Sequence, residues 1–437
     1  MEDSGNEWQP SFPFGDSDKD KTDEGTRGPN ADDTRHYKSL MKRVKNALRT
    51  MGELSDESSE PIDILKRAIL LDRAAYIRLA LLPGVGAMTM MRLLTHFGDA
   101  DSVLRASLGE LGQVNRVGPV LATSIRESKT NGYASRVLDH CNELHITITL
   151  PGDATYPKNL TNISDPPLLL FMRGEYRSQD ELAIGMVGTR HATHYGSVMA
   201  DRIAKGLCYK GITIVSGLAR GIDSICHRTA LEHGGRTIAV LGSSLSDVYP
   251  PEHASLADRI AEQGCLLSET APFSQPRRGV FPQRNRIISG LSQGIVVVEA
   301  AEQSGSLITA SHAGNQGRAV FAVPGPATSR TSQGCNKLIR DGATLVQTAE
   351  DVLEGMGPLP DRVVMQDGTP VRHPRELQLN EVEKSVLAAI GDQPTDVDKI
   401  ANACGLEISR VLSTLSVLEI HGFIVRTSQR SFARRRF

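Results

Sequence analysis

From residue 183 to about 350 the chain alternates short apolar runs with helical stretches, and this restricts the fold more than any other feature. The runs Ala183–Val187, Ile212–Val215, Thr237–Leu241, Cys265–Ser268, Gly294–Val298, Val320–Val323 and Thr344–Val346 read as strands. Strands that are apolar along their whole length, with helices between them, belong in a parallel sheet covered on both faces. The expected fold class is therefore α/β, with a doubly wound, mostly parallel sheet.

The flanks read differently. Residues 1–60 are rich in Asp, Glu, Ser, Gly and Pro and are expected to be a disordered acidic tail. Over 65–130 two helix–turn–helix units recur, around Leu82-Pro83-Gly84-Val85-Gly86 and around Arg116-Val117-Gly118-Pro119. They predict an N-terminal all-helical domain of helix-hairpin-helix or SAM-like type. Its glycines either present backbone N–H groups to a phosphate or simply close tight turns. Residues 131–182, with the double proline Pro166-Pro167, lead into the α/β core, whose domain is taken as 131–355. A polar linker (356–378) follows. Residues 379–437 then carry a helix at Glu381–Ile390 capped by Asn380 with Glu383, a short helix capped by Thr395, a third helix at Ile408–His421 and a strand from Phe423. That order is the order of a winged helix, ending in a basic tail with Arg430 and Arg434-Arg435-Arg436. Its third helix offers few bases, so duplex contact and protein docking both stay open.

The net charge of -2 conceals an asymmetry, because residues 1–36 hold ten acids and four bases, so the remainder is positive. The acidic start carries no secretory signature, and no apolar run reaches the length of a spanning helix. No membrane contact and a cytoplasmic location are expected. Six cysteines stand singly at 141, 208, 226, 265, 335 and 404, which suits reduced buried thiols rather than disulfides or a metal site. No metal and no cofactor are expected.

In an open parallel sheet, ligands bind where the strands' carboxyl ends lead into helix N-termini. Here those loops carry Gly188-Thr189-Arg190, then Ser216-Gly217-Leu218-Ala219-Arg220-Gly221-Ile222-Asp223, then Gly242-Ser243-Ser244 and Ser304-Gly305-Ser306. Phe281-Pro282-Gln283-Arg284-Asn285-Arg286 precedes the fifth strand run. Glycines let a backbone approach an anion, and arginines grip phosphate oxygens in pairs, so a phosphate-rich ligand is the expected guest. Neither a P-loop nor a G-x-G-x-x-G string follows the first strand, which argues against P-loop hydrolysis and an ordinary dinucleotide site. His227 falls inside a helix and reads as a packed side chain, Asp223 as a first-turn acid complementing the helix dipole. Glu269 and Glu299 end strands, with nothing to show that they face each other. No catalytic residue is assigned.

At these residues the chain resembles the DprA/Smf family (DNA processing protein A). The family's strings stand here as Tyr156-Pro157, Asp165-Pro166-Pro167, Val187-Gly188-Thr189-Arg190, Ser216 to Asp223, Val240-Leu241-Gly242, Tyr249-Pro250, Phe281-Pro282 with Arg284-Asn285-Arg286, Ser304-Gly305-Ser306 and Val323-Pro324-Gly325. Ser244 departs from an expected glycine. The resemblance implies a Rossmann-like core between the helical domain and the winged helix. It also implies a non-catalytic protein of natural transformation that binds and protects single-stranded DNA and loads RecA onto it. Single-strand-binding protein is a further implied partner, and a homodimer is expected, with Leu338 and Ile339 as its candidate residues. Carried over by motif, Gly188, Thr189, Arg190, Ser216, Gly217, Arg220, Gly221, Phe281, Arg284, Asn285, Arg286 and Ser306 would contact DNA. With few aromatic residues in the chain, phosphate contacts should dominate, and Phe281 is the best stacking candidate. The rival reading is a nucleotide-binding sensor or phosphoribohydrolase of the lysine-decarboxylase-like Rossmann group, whose P-G-G-x-G-T-type loop is missing here.

Overall fold

The computed structural model describes residues 61–274, 279–357, 359, 363–365, 368 and 370–435. The expected acidic tail and Arg436 lie outside the described residues. The N-terminal helices are α1 (Pro61–Leu71), α2 (Arg73–Ala80), α3 (Ala87–Phe97), α4 (Ala100–Arg105), α5 (Leu108–Leu111), α6 (Pro119–Glu127) and α7 (Tyr133–Glu143). They close over a core with Leu65, Tyr76, Leu79, Met90 and Ile125 fully buried. Asp72, Asp99 and Ser107 cap α2, α4 and α5, whereas Gly86 and Gly118 precede α3 and α6 without a side-chain cap. Helix α7 lies past residue 130, in a stretch the sequence reading treated as transition.

One nine-stranded sheet follows. Its strands are β1 (Thr147–Thr149), β2 (Leu170–Gly174), β3 (Ala183–Val187), β4 (Thr213–Ser216), β5 (Thr237–Leu241), β6 (Cys265–Ser268), β7 (Gly294–Val297), β8 (Ala319–Ala322) and β9 (Thr344–Leu345). The spatial order is β1-β2-β6-β5-β4-β3-β7-β8-β9. Strands β3 to β9 pair in parallel, while β2 joins β6 and β1 joins β2 antiparallel. The seven expected strands stand within a residue of their predicted bounds. The two antiparallel strands were not expected, because no α-helix separates them from each other or from β3.

Every residue of β3, β4, β5, β6 and β7 is buried, as two-sided coverage requires. Alternate residues serve opposite faces. Ile184, Met186 and Ile214 join a cluster with α8 (His194–Tyr209), α9 (Ile222–Glu232) and, from later in the chain, Val352 and Leu353. Ala183, Val187 and Val215 join another cluster, with Ile287 and Ile288 and, further on, Ala310 and Cys335. After α10 (Ala254–Gln263), the covering helices are α11 (Val280–Leu291), α12 (Ser306–Asn315), α13 (Gln333–Arg340) and α14 (Ala349–Gly355). Leu338 and Ile339, the candidate dimer residues, lie on α13, half-buried against this second cluster and partly exposed.

The expected linker is partly built into the core. Strands β10 (Val363–Val364) and β11 (Pro370–Val371) form a hairpin, and Val363 and Val371 are buried in the same cluster as α8. Those two valines outweigh the polar composition around them. The winged helix follows as α15 (Glu381–Ala388), β12 (Thr395–Asp396), α16 (Val397–Cys404), α17 (Ile408–Ile420), β13 (Ile424–Arg426) and β14 (Ser431–Arg434). Asn380 and Glu383 form the expected capping box. Asp396, not Thr395, caps α16, its side chain accepting from the Asp398 N–H. The basic end is partly committed within the domain. Arg430 pairs with Asp398 at 3.2 Å, and Arg434 donates to the Leu387 carbonyl from Nε (3.3 Å) and Nη2 (3.2 Å).

Candidate nucleic-acid interface

Strand β3 is the switch point of the sheet, since the chain builds outward through β4, β5 and β6 on one side and through β7, β8 and β9 on the other. The loops leaving β3 and its neighbours therefore part at the carboxyl edge and leave a crevice there. Most of the expected site residues lie around that edge, and their side chains divide into two groups.

The first group builds the floor. Ser216 is fully buried and its hydroxyl donates to the Met186 carbonyl at 2.6 Å, so it ties β4 to β3 instead of facing a ligand. Asp223 is buried and accepts from the backbone N–H groups of Gly217 (3.1 Å) and Ala219 (3.4 Å). It organises the loop it follows, a role beyond complementing a helix dipole. Burial raises the Asp223 carboxyl above its usual range, opposed by the nearby Arg284. Arg284 is itself buried against Gly217, with Nε and Nη1 lacking a hydrogen-bond partner, and burial pushes it down to about 10. Arg286 is held by Glu269 at 2.7 Å and Asp165 at 3.2 Å, so its charge is spent inside the protein. Ser306 is buried, with its hydroxyl 2.7 Å from that of Ser304, and the Asn285 amide donates to the Gly305 carbonyl at 3.4 Å.

Glu299 does not face Glu269. It is buried and accepts from the Thr193 amide (2.9 Å) and hydroxyl (2.8 Å), fixing the start of α8, while Thr189 donates its N–H to the Glu299 carbonyl at 2.7 Å. The half-buried Gly188 and Thr189 thus lie on the crevice between the β3 and β7 loops.

The second group faces out. Arg190 is exposed and makes no ion pair among the described residues. Its guanidinium carbon lies 6.0 Å from the centre of the Phe281 ring. Arg220 is half-exposed and paired with Glu252, so a phosphate reaching it replaces a carboxylate. Gly221 joins the two arginine loops. Its φ of 73° and ψ of -128° suit glycine, and a Cβ there would fall 2.3 Å from the Thr189 carbonyl oxygen. Phe281 is half-buried over the backbone of Gly242 and has its ring 5.8 Å from that of Tyr249. Tyr249, about half-exposed, was missing from the sequence-based set. The signals for it were an aromatic residue in a loop after a core strand and its place in the family string Tyr249-Pro250.

Buried His227 has no outlet to this edge. The Thr237 hydroxyl donates to the Ile214 carbonyl at 2.8 Å, so it accepts from His227 Nδ1 at 2.7 Å. Burial pushes His227 down to about 3, and His373 down to about 4. An unfolded chain takes up these protons first, so both residues make stability fall as pH drops from 6.5 through that window. Asp223 and Glu269, raised by burial, act in the opposite sense. The loss attributable to His227 is therefore read as a difference: chemical denaturation of a His227→Gln variant should show a shallower decline between pH 6.5 and 4 than the parent protein.

Among the described residues no cluster of three His, Cys, Asp or Glu is placed to hold a metal, and no helix is long and apolar enough to cross a membrane. Five of the six free cysteines are buried.

Comparison with known proteins gives concordant matches. Residues 147–357 match the family model for DNA recombination-mediator protein A, and residues 370–429 match the DprA winged helix domain. Protein Smf of Synechocystis is 33% identical over 395 residues, covering 83% of this chain and 99% of the relative. DNA processing protein DprA of Bacillus subtilis is 44% identical over 230 residues, covering 52% of this chain and 76% of the relative. The crystal structure of DNA processing protein A from Streptococcus pneumoniae superposes with a TM-score of 0.56 at 33% identity, over 64% of this chain and 96% of that one.

Proposed function

Because the chain belongs to the DprA/Smf family, we propose that it binds single-stranded DNA along the carboxyl edge of its sheet and acts in DNA processing during natural transformation. The observation that carries this reading is the pairing of two outward arginines, Arg190 and Arg220, with two accessible rings, Phe281 and Tyr249, over a floor of buried groups. Arginines attract a phosphate backbone, and rings accept unpaired bases. Protection of incoming strands, loading of RecA, an exchange with single-strand-binding protein and a cytoplasmic location extend the reading as the family resemblance implies.

The protein acts here as a binder and not as an enzyme. Glu299 serves Thr193 and Glu269 serves Arg286, so the two strand-end carboxylates are engaged in holding the loops. The homodimer also belongs to this proposal, with the partly exposed Leu338 and Ile339 of α13 as candidate residues. The edge strand β9, with Leu345 exposed, adds to that candidate surface. Filter binding with labelled single strands and blunt duplex tests the reading, beside a screen for nucleotide hydrolysis. Preference for single strands without turnover supports it. Equal binding of duplex, or turnover abolished by Glu299→Gln, overturns it.

A further inference from the structure

Four side chains from four separate segments meet above the carboxyl edge. Arg190 follows β3, Arg220 follows β4, Tyr249 lies in the loop after β5, and Phe281 opens α11. The Tyr249 and Phe281 rings lie 5.8 Å apart and are tilted by 52°. Arg190 sits at the Phe281 ring, and Tyr249 lies beside Arg220, whose main partner is Glu252. Phe281 is seated on Gly242, where a Cβ would fall 2.7 Å from its Cδ1. The Tyr249 N–H donates to the Ser243 hydroxyl at 3.2 Å, while its side chain remains 48% exposed. The loop is therefore fixed through its backbone, and the ring is left to solvent.

Resting on the reading that this edge binds single strands, we propose that Tyr249 and Phe281 form a base-stacking pair, and that this pair, not the arginines, carries the preference for single over double strands. Phosphates are common to both forms of DNA, so guanidinium contacts position a strand without telling the two apart. In a duplex the faces of the bases are closed by their neighbours. In a single strand a base can turn out and lie on an aromatic ring, and every base has such a face, so recognition is tolerant of sequence. Tyr249 supplies the accessible surface and Phe281 the fixed one, with a guanidinium beside each to take the flanking phosphates.

The test uses the full-length protein and fluorescence anisotropy with three probes: a mixed-sequence single strand, the same strand with abasic sites in place of its bases, and a blunt duplex. Tyr249→Ala should weaken binding of the intact strand about tenfold, the scale of one lost stacking contact. Binding of the abasic strand and the duplex should stay within about twofold, since their phosphate contacts are untouched. Tyr249→Phe, which keeps the ring and removes the hydroxyl near Arg220, should bind like the parent. Gly242→Val, which displaces Phe281, should reproduce the Tyr249→Ala pattern, with circular dichroism confirming a native fold. Equal losses on intact and abasic strands overturn the stacking pair, as does unchanged binding of the intact strand by Tyr249→Ala when Arg190→Glu abolishes it. A parent protein that binds no single strand overturns the reading of the edge itself.

Discussion

Replacing Arg190 and Arg220 together by Glu is expected to lower affinity for single-stranded DNA by about a hundredfold at moderate salt, because two charge-assisted phosphate contacts become repulsions. The two single substitutions should be unequal. Arg190 makes no ion pair among the described residues, whereas Arg220 already shares its charge with Glu252. Arg190→Glu therefore removes more. The loss should be uniform across sequences, and the log–log salt slope should shrink by about 0.7 for each phosphate contact removed. Titration of strands of differing composition at several salt concentrations measures both. Reversals that leave affinity and slope unchanged place the phosphate contacts elsewhere.

Gly221→Ala should produce the largest loss of stability at this edge. The backbone there is in a region that side chains avoid, and a methyl group would press on the carbonyl of Thr189 and the backbone of Arg190. Ile222 donates its N–H to that same Thr189 carbonyl at 3.2 Å, so the substitution also pulls apart the two loops that carry the arginines. A cost of about 3 kcal/mol or more is expected in urea denaturation, with loss of strand binding. Gly305 is the matched control. Its φ is -60° and an added Cβ meets nothing within 4 Å, so Gly305→Ala should leave stability nearly unchanged.

The α/β core was legible because burial on both faces forces continuous apolar runs, and β3 and β5 stand at their expected bounds. What escaped was structure without that signature. Thr147–Thr149 and Leu170–Gly174 pair antiparallel at the edge of the sheet, where no α-helix intervenes to announce a strand. The β10–β11 hairpin hides two buried valines in a polar stretch.

At the site, the motif strings do gather at the carboxyl edge of the sheet, but they could not assign the direction of their side chains. Ser216 points inward to Met186, Arg286 is captured by Asp165 and Glu269, and Arg284 lies under Gly217. Each outcome depends on a partner brought close by the fold and distant in the chain. Tyr249 gains its place beside Phe281 in the same way, because only the packing of α11 brings the two rings together.

Photo-crosslinking reads the location of the bound strand directly. Single strands carrying 5-iodouridine would be crosslinked to the full-length protein and the attached peptides identified by mass spectrometry. Crosslinks should fall in residues 189–193, 218–223, 243–250 and 280–286, and disappear when unlabelled single strand is added in excess. Crosslinks concentrated at the hairpins before α3 and α6, or on α17 of the winged helix, with none at the carboxyl edge, would contradict binding at that edge.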